Sequence, residues 1–484
     1  MPVYYKKKEK TKMNSKKITP RLWFNIILFG TMGQIAWNIE NMYFNTFLYN
    51  NIYSNGASQA AVNSAIPYTS AISLMVGLSA ATAVITTFVM GTLSDRLNKR
   101  KVFISVGYII WGIITASFGF ISRESVASIF HLSDEVQILT ATVWTVIVMD
   151  CVMTFMGSTS NDSAFNAWIT DVTAPENRPI VETVFAALPI VAMGLVVVFG
   201  TLAQAGTITY TLFFGVLGLV VSVCGVIGLF TLEEPKHNLN RKKSNSNYWS
   251  DLFYGFRPSV IKENAAFYLI LFTNCIFSIA TQVYFPYLLI YLQYVILPTA
   301  GENLITAPVI ISAAISVLLM GGGIITLLKL NKKVSRGKMI FTAVSFSIVG
   351  LFLMGFAKNI VFFVLAAAPT IIGYALQGIL LGATIRDLTP EAKAGQFQGI
   401  RMIFMVLVPM ILGPVTGALA IEHSAVSYVD EFGTNQTVPT SLMFTFAAVI
   451  SVIAFVPIAI LVKKGFLKTP NDVPISDETE KTLV

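Results

Sequence analysis

The sequence predicts an all-α integral membrane protein with twelve transmembrane helices arranged in two six-helix halves. Of its 484 residues 55% are hydrophobic and only 12% are charged, whereas soluble domains carry about 25% charged residues. Long apolar runs alternate with short polar segments from residue 22 to residue 463. The longest polar segment, 233–263, divides the runs six and six. A soluble multidomain protein, which the length alone would allow, is therefore excluded.

A helix that crosses a membrane needs about 20 mostly apolar residues. Segments of this kind are numbered here as spans 1 to 12 in chain order: 22–49, 67–93, 102–122, 137–169, 180–205, 208–232, 264–296, 307–330, 338–357, 360–385, 399–421 and 441–463. The two halves are then 22–232 and 264–463, joined by the linker 233–263 and flanked by tails 1–21 and 464–484. Polar residues 157–162 interrupt span 4, so we expect it to tilt, kink or protrude there.

The distribution of Lys and Arg predicts that both termini are cytoplasmic, in a plasma (inner) membrane. Cations fill the N-terminal tail and the loops after spans 2 and 8, whereas the opposite side has only Arg123 and Lys358. The net charge of +8 therefore follows membrane topology, and no basic patch indicates nucleic acid. The expected partners are the lipid bilayer and a small-molecule substrate, and we expect a monomer. The three cysteines lie inside apolar runs, so no disulfide framework is expected.

A short motif recurs at the same place in each half. Span 4 is followed by Asp171-Val172-Thr173-Ala174-Pro175-Glu176-Asn177-Arg178, and span 10 by Asp387-Leu388-Thr389-Pro390-Glu391-Ala392-Lys393. Either copy alone would be explained as a helix stop followed by a cap. Their matching positions favour duplication of a six-helix unit, the plan of parallel-repeat carriers.

The loop from Gly91 to Lys101, Gly-Thr-Leu-Ser-Asp-Arg-Leu-Asn-Lys-Arg-Lys, resembles the signature loop of the major facilitator superfamily. Asn98 replaces the second glycine of that signature, which Asn tolerates because it accepts left-handed backbone conformations. The resemblance implies that this loop latches the two halves together on the cytoplasmic side. The alternative is an ordinary positive-inside loop. The gating residues expected on this basis are Gly91, Asp95, Arg96, Asp171, Arg178, Asp387 and Arg401.

Ionisable residues inside membrane spans are costly and usually functional. Three occur here: Glu40 in span 1, and Asp150 and Asp162 in span 4. At about 100° per residue, four amides of span 1 fall on one stripe with Trp37 at its edge: Gln34, Asn38, Asn41 and Asn45. A second stripe in span 4 comprises Asp150, Thr154, Gly157 and Asn161, with Asp162 about a third of a turn away. The stripes line either a central cavity or a polar contact between helices.

Amides and carboxylates hydrogen-bond hydroxyl groups, and Trp and Tyr offer flat apolar faces. This combination suits a neutral polyol such as a sugar. The expected substrate-binding residues are Trp37, Asn38, Glu40, Asn41, Asp150, Asn161, Asp162, Gln282 and Gln377.

Residues 162–168, Asp-Ser-Ala-Phe-Asn-Ala-Trp, followed by Asp171-Val172-Thr173 and Arg178, are similar to the fourth-helix pattern of glycoside–pentoside–hexuronide cation symporters, the melibiose permease relatives. The resemblance implies a sugar substrate contacted by Asp162 and a coupling cation. Those symporters carry an Asp pair in their second helix, whereas residues 77–83 here contain no acid. Glu40 and Asp150 are then the candidates for coupling; we favour a proton, and a displaced sodium site stays open.

Three classes of function remain for comparison. The first is an ion-coupled secondary carrier of a sugar or glycoside. The second is an exporter or a carrier of an amphiphile such as a drug or a lysolipid. The third, a membrane enzyme, is disfavoured because the sequence contains no P-loop, His-Glu-x-x-His, Gly-x-Ser-x-Gly or metal-spaced Cys/His set. We therefore expect no metal site and no cofactor beyond the coupling H⁺ or Na⁺.

Overall fold

The computed structural model describes most of the spans. The described residues are 18–173 except 55 and 98, 207–234, 256–301, 334–389 and 394–467 except 425 and 430–432, with scattered positions in 174–206 and 302–333. Spans 5 and 8, the linker and the two tails therefore lie mostly outside the described residues.

In the N-terminal half each described span is one continuous helical segment. Span 1 comprises Pro20–Asn38, Ile39–Phe44, Asn45–Phe47 and Leu48–Tyr53; span 2 is Tyr68–Leu97; span 3 is Arg100–Ser117 with Phe118–Phe120; span 4 is Glu135–Gly157, Ser158–Phe165 and Asn166–Val172; and span 6 is Tyr210–Thr231. Two short helices, Gln59–Ser64 and Arg123–Phe130, lie in the predicted external loops.

The C-terminal half repeats this arrangement. The short helix Pro258–Glu263 precedes it; span 7 is Ala265–Tyr284, Phe285–Tyr287, Leu288–Tyr291, Leu292–Ile296 and Leu297–Ala300; span 9 is Arg336–Gly355; span 10 is Ile360–Leu388; span 11 is Ala394–Met402, Ile403–Leu407 and Val408–His423; and span 12 is Leu442–Ile453 with Phe455–Lys463. Strands β1 (Val426–Val429) and β2 (Asn435–Val438) form an antiparallel hairpin between spans 11 and 12.

Among the described residues, nine helices are long and apolar enough to cross a membrane. They correspond to spans 2, 3, 4, 6, 7, 9, 10, 11 and 12. Span 1, which carries the amide stripe and Glu40, is not among the nine, although it is helical from Pro20 to Tyr53. Large apolar side chains such as Ile85, Phe230 and Val449 are exposed on the outside of the bundle, as expected of a surface that faces lipid.

Spans 1 and 4 change helical type inside the membrane. Ile39–Phe44, Leu48–Tyr53 and Ser158–Phe165 are π-helical, and π-helical turns are frequent at functional sites. The polar interruption predicted in span 4 is therefore a wider helical segment rather than a break. The segment starts one residue after Gly157 and contains Asp162.

An equivalent ion pair occurs in each half. Arg100, the first residue of span 3, lies 3.4 Å from the Asp171 carboxylate at the end of span 4. Arg336, the first residue of span 9, lies 2.6 Å from the Asp387 carboxylate at the end of span 10. The two aspartates begin the motif copies found in the sequence, so the repeated sequence builds a repeated contact.

The two halves meet through hydrogen bonds at their predicted external ends. Asn50 of span 1 donates to Gln293 Oε1 at 2.9 Å and accepts from Tyr294 OH at 3.0 Å. Thr69 of span 2 donates to Glu422 Oε1 at 2.6 Å. These contacts join spans 1 and 2 to spans 7 and 11 at the predicted external side, and they are called the external closure below.

The β-hairpin adds a second layer to this closure. Tyr49 OH donates to the Thr437 carbonyl at 2.7 Å, and Gln436 Nε2 donates to the Tyr53 carbonyl at 3.2 Å. The Asn435 N–H donates to Gln59 Oε1 at 2.7 Å. A segment of the C-terminal half thus lies across the external end of span 1 and the short helix that follows it.

Candidate functional site

Asp162 is held in the π-helical segment of span 4 by side chains of spans 1 and 4. Ser158 Oγ donates to Asp162 Oδ2 at 3.1 Å, and Asn161 Nδ2 donates to Oδ1 at 3.2 Å. The indole of Trp37 also hydrogen-bonds the carboxylate. Asp162 is half-buried, and these hydrogen bonds fix the orientation of its carboxylate.

Aromatic rings contact Trp37 and Asn161, the two residues that bond this carboxylate besides Ser158. The rings of Trp37 and Trp111 lie 5.2 Å apart, and Tyr108 OH lies 2.9 Å from Asn161 Oδ1 and 2.8 Å from the Phe29 carbonyl. A methyl group at Gly157 would lie 2.8 Å from the Trp111 ring. The missing side chain at position 157 therefore allows the indoles to pack against span 4.

The amides of span 1 bond to their own helix. Asn38, Asn41 and Asn45 each donate through Nδ2 to the carbonyl four residues earlier, at 2.7, 2.7 and 2.9 Å. Each such bond uses one of the two amide hydrogens, so a hydrogen and the side-chain oxygen remain for other partners. Asn38 and Asn41 are half-buried, whereas Asn45 is fully buried and its Oδ1 has no hydrogen-bond partner among the described residues.

Glu40 lies in a second, more deeply buried group with residues of spans 2 and 4. Its Oε1 accepts from Ser79 Oγ at 2.6 Å and from Thr154 Oγ1 at 2.9 Å, and these two hydroxyls lie 2.6 Å apart. Asp150 interacts electrostatically with Glu40 and hydrogen-bonds Ser79. Span 2 therefore contributes a hydroxyl group in the stretch where the glycoside–cation symporters carry acids.

The π-helical segment changes which residues of span 4 share a face. A uniform α-helical pitch put Asp162 away from the stripe of Asp150 and Thr154. In the structure Thr154 bonds Glu40 while Ser158, four residues on, bonds Asp162. The residues of span 4 that bond Glu40 and Asp162 are therefore four positions apart, and the two carboxyl groups interact electrostatically.

The structure does not bring the two predicted glutamines of the C-terminal half to this group. Gln377 is fully buried between spans 9 and 10, where its amide donates to Ser347 Oγ at 2.7 Å and to the Ala343 carbonyl at 3.3 Å. Gln282 is half-buried, and its Cβ lies against Gly413 of span 11. The amide nitrogen of Gln377 thus joins two neighbouring helices, while its buried Oε1 has no hydrogen-bond partner among the described residues.

Two of the predicted gating residues, Asp171 and Asp387, form ion pairs with residues of their own half. Asp171 and Asp387 form the ion pairs with Arg100 and Arg336 given above, and Gly91 lies near Ser163 of span 4. Arg401 is half-buried at the end of Ala394–Met402. Arg178 and the side chains of Asp95 and Arg96 lie outside the described residues, so their predicted role in a latch between the halves stays a prediction.

Sequence reasoning missed Ser79, Tyr108 and Trp111. Ser79 lies in a stretch without acids, and a lone serine in an apolar span carries little signal. Tyr108 and Trp111 are two of the aromatic residues of an apolar helix, and only their contacts with Asn161 and Trp37 set them apart.

The comparison with family models decides the family. The model described as Major Facilitator Superfamily matches residues 22–332 and 287–482. The chain belongs to the Major Facilitator Superfamily. A search of curated proteins finds no significant match to the chain.

Solved structures show the same major facilitator fold. A mutant of the nucleoside transporter NupG aligns with a TM-score of 0.60 at 12% identity, over 90% of this chain and 98% of that chain. The xylose transporter XylE from E. coli, in a partially occluded inward-open conformation, gives 0.59 at 13% identity, over 91% and 97%. A bacterial homologue of the human lysosomal transporter Spinster, inward-facing and unoccupied, gives 0.58 at 14%, over 93% and 99%.

Family membership assigns the general activity. This major facilitator protein is a multi-pass membrane protein with twelve transmembrane helices in two six-helix halves. It is a secondary transporter of small molecules in a lipid bilayer, and not an enzyme.

Proposed function

We propose that the protein is an ion-coupled symporter of the plasma (inner) membrane that carries a sugar or glycoside. The observation that carries this proposal is the half-buried Asp162 carboxylate, hydrogen-bonded to the indole of Trp37. A carboxylate accepts hydrogen bonds from hydroxyl groups, and an indole presents a flat apolar face. These match the two surfaces that a sugar ring offers to a protein.

The neighbouring amides extend the same chemistry along span 1. Asn38 and Asn41 are half-buried and retain hydrogen-bonding capacity beyond their bonds to the helix backbone. They lie within about one turn of Trp37, on the stripe that the sequence predicts to line a cavity. A substrate held at Asp162 would meet their side chains next.

In the proposed transport cycle, alternating access exposes this site first to one membrane face and then to the other. The halves 22–232 and 264–463, joined by 233–263, would rock about the site, which belongs mainly to spans 1, 3 and 4. The resemblance of residues 162–168 to the glycoside–cation symporters supports the substrate class. Two of the structurally similar proteins are transporters of a nucleoside and of xylose, which also bear hydroxyl groups.

Counterflow in proteoliposomes tests the substrate class. Vesicles preloaded with one unlabelled sugar are given the same sugar in labelled form, for a panel of hexoses, pentoses and methyl glycosides. We expect exchange of at least one panel member. If exchange occurs instead with a labelled lysolipid or a cationic dye, the amphiphile carrier replaces the sugar symporter.

The variant Asp162→Asn tests the residue that carries the proposal. A hydrogen bond to a charged group contributes about 1.5–3 kcal/mol, so the half-saturating sugar concentration should rise about tenfold or more. Asp134→Asn is the matched control, because Asp134 caps the external end of span 4 and Asn is an equally good N-cap. Equal affinities of wild type and Asp162→Asn would refute the assignment.

A further inference from the structure

The internal repeat allows spans 4 and 10 to be compared position by position. Asp171 and Asp387 begin the two motif copies, and each pairs with the arginine that begins the preceding span. When these two aspartates are aligned without a gap, Gly157 corresponds to Gly373. The alignment therefore continues from the ends of the two spans into the membrane.

Contacts with the preceding span support this register. A methyl group at Gly157 would lie 2.8 Å from the ring of Trp111 in span 3. A methyl group at Gly373 would meet the side chain of Ser347 in span 9. Trp111 and Ser347 are equivalent positions when the first residues of spans 3 and 9 are aligned. The repeated glycine thus packs at the same place in each half.

The face of span 4 that carries the substrate carboxylate has a chemically different counterpart in span 10. An aromatic ring and two glycines replace three polar residues: Tyr374 for Ser158, Gly378 for Asp162 and Gly382 for Asn166. In parallel-repeat carriers the substrate lies at the interface between the repeats, so equivalent faces approach it from opposite sides. The C-terminal half therefore presents a mainly apolar surface opposite the carboxylate of the N-terminal half.

This surface, Tyr374 with Gly378 and Gly382, is called the aglycone wall below. No atom of the described residues lies within 4 Å of a methyl group placed at either glycine. Tyr374 is 53% exposed, and its ring packs against Phe277 of span 7 with centroids 5.7 Å apart and planes tilted by 43°. The contact with span 7 holds the tyrosine ring in place, while half of its surface stays accessible.

A buried acceptor beside Gly378 lacks a partner. Gln377 corresponds to Asn161, the residue that donates to the Asp162 carboxylate. The amide nitrogen of Gln377 bonds span 9, but its Oε1 is buried and has no hydrogen-bond partner among the described residues. A hydroxyl group of a substrate is a donor of the kind that this oxygen lacks.

We propose that the aglycone wall is a second substrate subsite, which takes the flat apolar ring of a glycoside whose sugar lies at Asp162 and Trp37. This inference rests on the proposed sugar symport and narrows its substrate class to glycosides with an aromatic aglycone. The aglycone stacks on Tyr374, and the two glycines let it approach the backbone of span 10 closely. A free monosaccharide fills only the N-terminal part of the site and binds more weakly.

The composition of the wall favours an aromatic aglycone over a second sugar. A second sugar would need several hydrogen-bond partners for its hydroxyl groups, and the wall offers only the hydroxyl group of Tyr374. Asp150 of span 4 likewise corresponds to Ala366 in span 10. A flat ring needs an apolar face and space instead, and the wall supplies both.

Competition in proteoliposomes tests the aglycone wall. The labelled panel sugar that wild type exchanges is the probe, and its methyl and phenyl glycosides are the unlabelled competitors. We expect the phenyl glycoside to compete at an about three- to tenfold lower concentration than the methyl glycoside, the gain from one aromatic contact. Tyr374→Ala should reduce this ratio to about one, and continued counterflow of the panel sugar shows that the variant is folded.

Three further variants separate the ring from its surroundings. Gly378→Leu should also remove the preference for the phenyl glycoside, because leucine fills the open space. Tyr374→Phe should keep it, since phenylalanine presents the same ring face. Phe230→Ala is the control, because Phe230 is an exposed ring on the outside of the bundle, and its removal should leave the preference intact.

The outcomes are distinct for the subsite and for the proposed function. Equal competition by the two glycosides in wild type would overturn the aglycone subsite. A preference that survives in either Tyr374→Ala or Gly378→Leu would overturn it as well, and so would loss of the preference in Tyr374→Phe. Failure of wild type to exchange any panel sugar would instead reject the proposed function.

Photolabelling locates the aglycone directly. The para-azidophenyl glycoside of the exchanged sugar loses N₂ on illumination, and the nitrene that remains inserts into a neighbouring C–H or O–H bond. We expect attachment to a peptide of span 10 that contains Tyr374, and excess phenyl glycoside should prevent it. Attachment confined to other spans would overturn the subsite.

Discussion

The surroundings of Asn161 leave no room for added volume. A methyl group at Gly33 of span 1 would lie 2.5 Å from Asn161 Oδ1 and 2.8 Å from Tyr108 OH. Asn161 in turn donates to the Asp162 carboxylate. The orientation of the proposed substrate carboxylate therefore depends on a glycine in a neighbouring helix.

The variant Gly33→Ala should weaken sugar binding without touching the sugar. Overpacking at such a contact costs about 1–3 kcal/mol, and displacement of Asn161 should lower the affinity about tenfold, measured by counterflow at varied sugar concentration. Gly215→Ala is the control, because no atom of the described residues lies within 4 Å of an added methyl group there. Equal affinities in the two variants would mean that Asn161 does not position Asp162.

The sequence identified candidate functional residues where the residue type is unusual inside a membrane span. Glu40, Asp150 and Asp162 stand out because charge inside a membrane span is costly. Ser79 does not stand out, because serine hydroxyl groups in helices commonly bond their own backbone. Tyr108 does not stand out, because it is one of three aromatic residues of an apolar helix. Gln377 appeared equally informative, yet its amide joins spans 9 and 10. Only the contact between helices separates these cases.

Sequence periodicity did not predict that part of span 4 is π-helical. The polar run 157–162 predicts an interruption of the helix. A constant α-helical pitch puts Asp162 about a third of a turn from the stripe that contains Asp150 and Thr154. The π-helical turn from Ser158 to Phe165 winds an extra residue into the turn. The period of polar and apolar residues along one helix does not specify such a change of pitch.

The repeated ion pairs differ in burial, and their contributions should differ accordingly. The side chains of Arg100 and Asp171 are 2% and 12% exposed, whereas those of Arg336 and Asp387 are 27% and 57% exposed. Removing one partner of a buried pair leaves an uncompensated charge and costs about 3–5 kcal/mol. An exposed pair contributes about 0–1 kcal/mol.

We therefore expect Asp171→Asn to lower the midpoint of thermal unfolding clearly and Asp387→Asn to leave it nearly unchanged. The measurement is tryptophan fluorescence during heating of the detergent-purified protein. The two variants are matched, since each removes the carboxylate at the same position of the repeat. Equal midpoints would show that the buried pair adds no more stability than the exposed one.

At the scale of the whole molecule, the count of spans and the division into halves followed from hydropathy alone, because every backbone group inside lipid must be satisfied within a helix. The contacts of the external closure, in contrast, could not be predicted from hydropathy. Its contacts join residues such as Tyr49 and Thr437, which are 388 positions apart, and the hairpin lies in a loop without an apolar pattern. Nothing in either local sequence identifies the other as its partner.

Topology provides a direct test of the predicted orientation. A reporter fused after residue 464 should be active in the cytoplasm, and one inserted in the 423–440 segment should be active outside, because Lys and Arg are concentrated on the other side. An external C-terminal reporter would contradict the even number of spans.

We expect the contacts of the external closure to break during transport. Cysteines at Gln59 and Asn435, joined by a bifunctional thiol cross-linker, would fix the hairpin to the helix Gln59–Ser64 that it contacts. We expect cross-linking to abolish sugar exchange and cleavage of the cross-linker to restore it. The controls are the two variants with only one of the new cysteines. Each also carries the three native cysteines. Full exchange by the cross-linked protein would show that the hairpin need not separate from the helix Gln59–Ser64.

The external hydrogen bonds also affect what an affinity measurement reports. The variant Asn50→Ala removes both of its hydrogen bonds to span 7. At about 0.5–1.5 kcal/mol for each bond, the ratio of closed to open molecules should change by about tenfold or more. A ligand that reaches the site from one face only has its apparent dissociation constant scaled by the fraction of molecules open to that face. Rankings of substrates from one-sided assays would survive such a change, but absolute affinities would not. Comparisons between variants of this transporter therefore require measurements from both faces of the membrane.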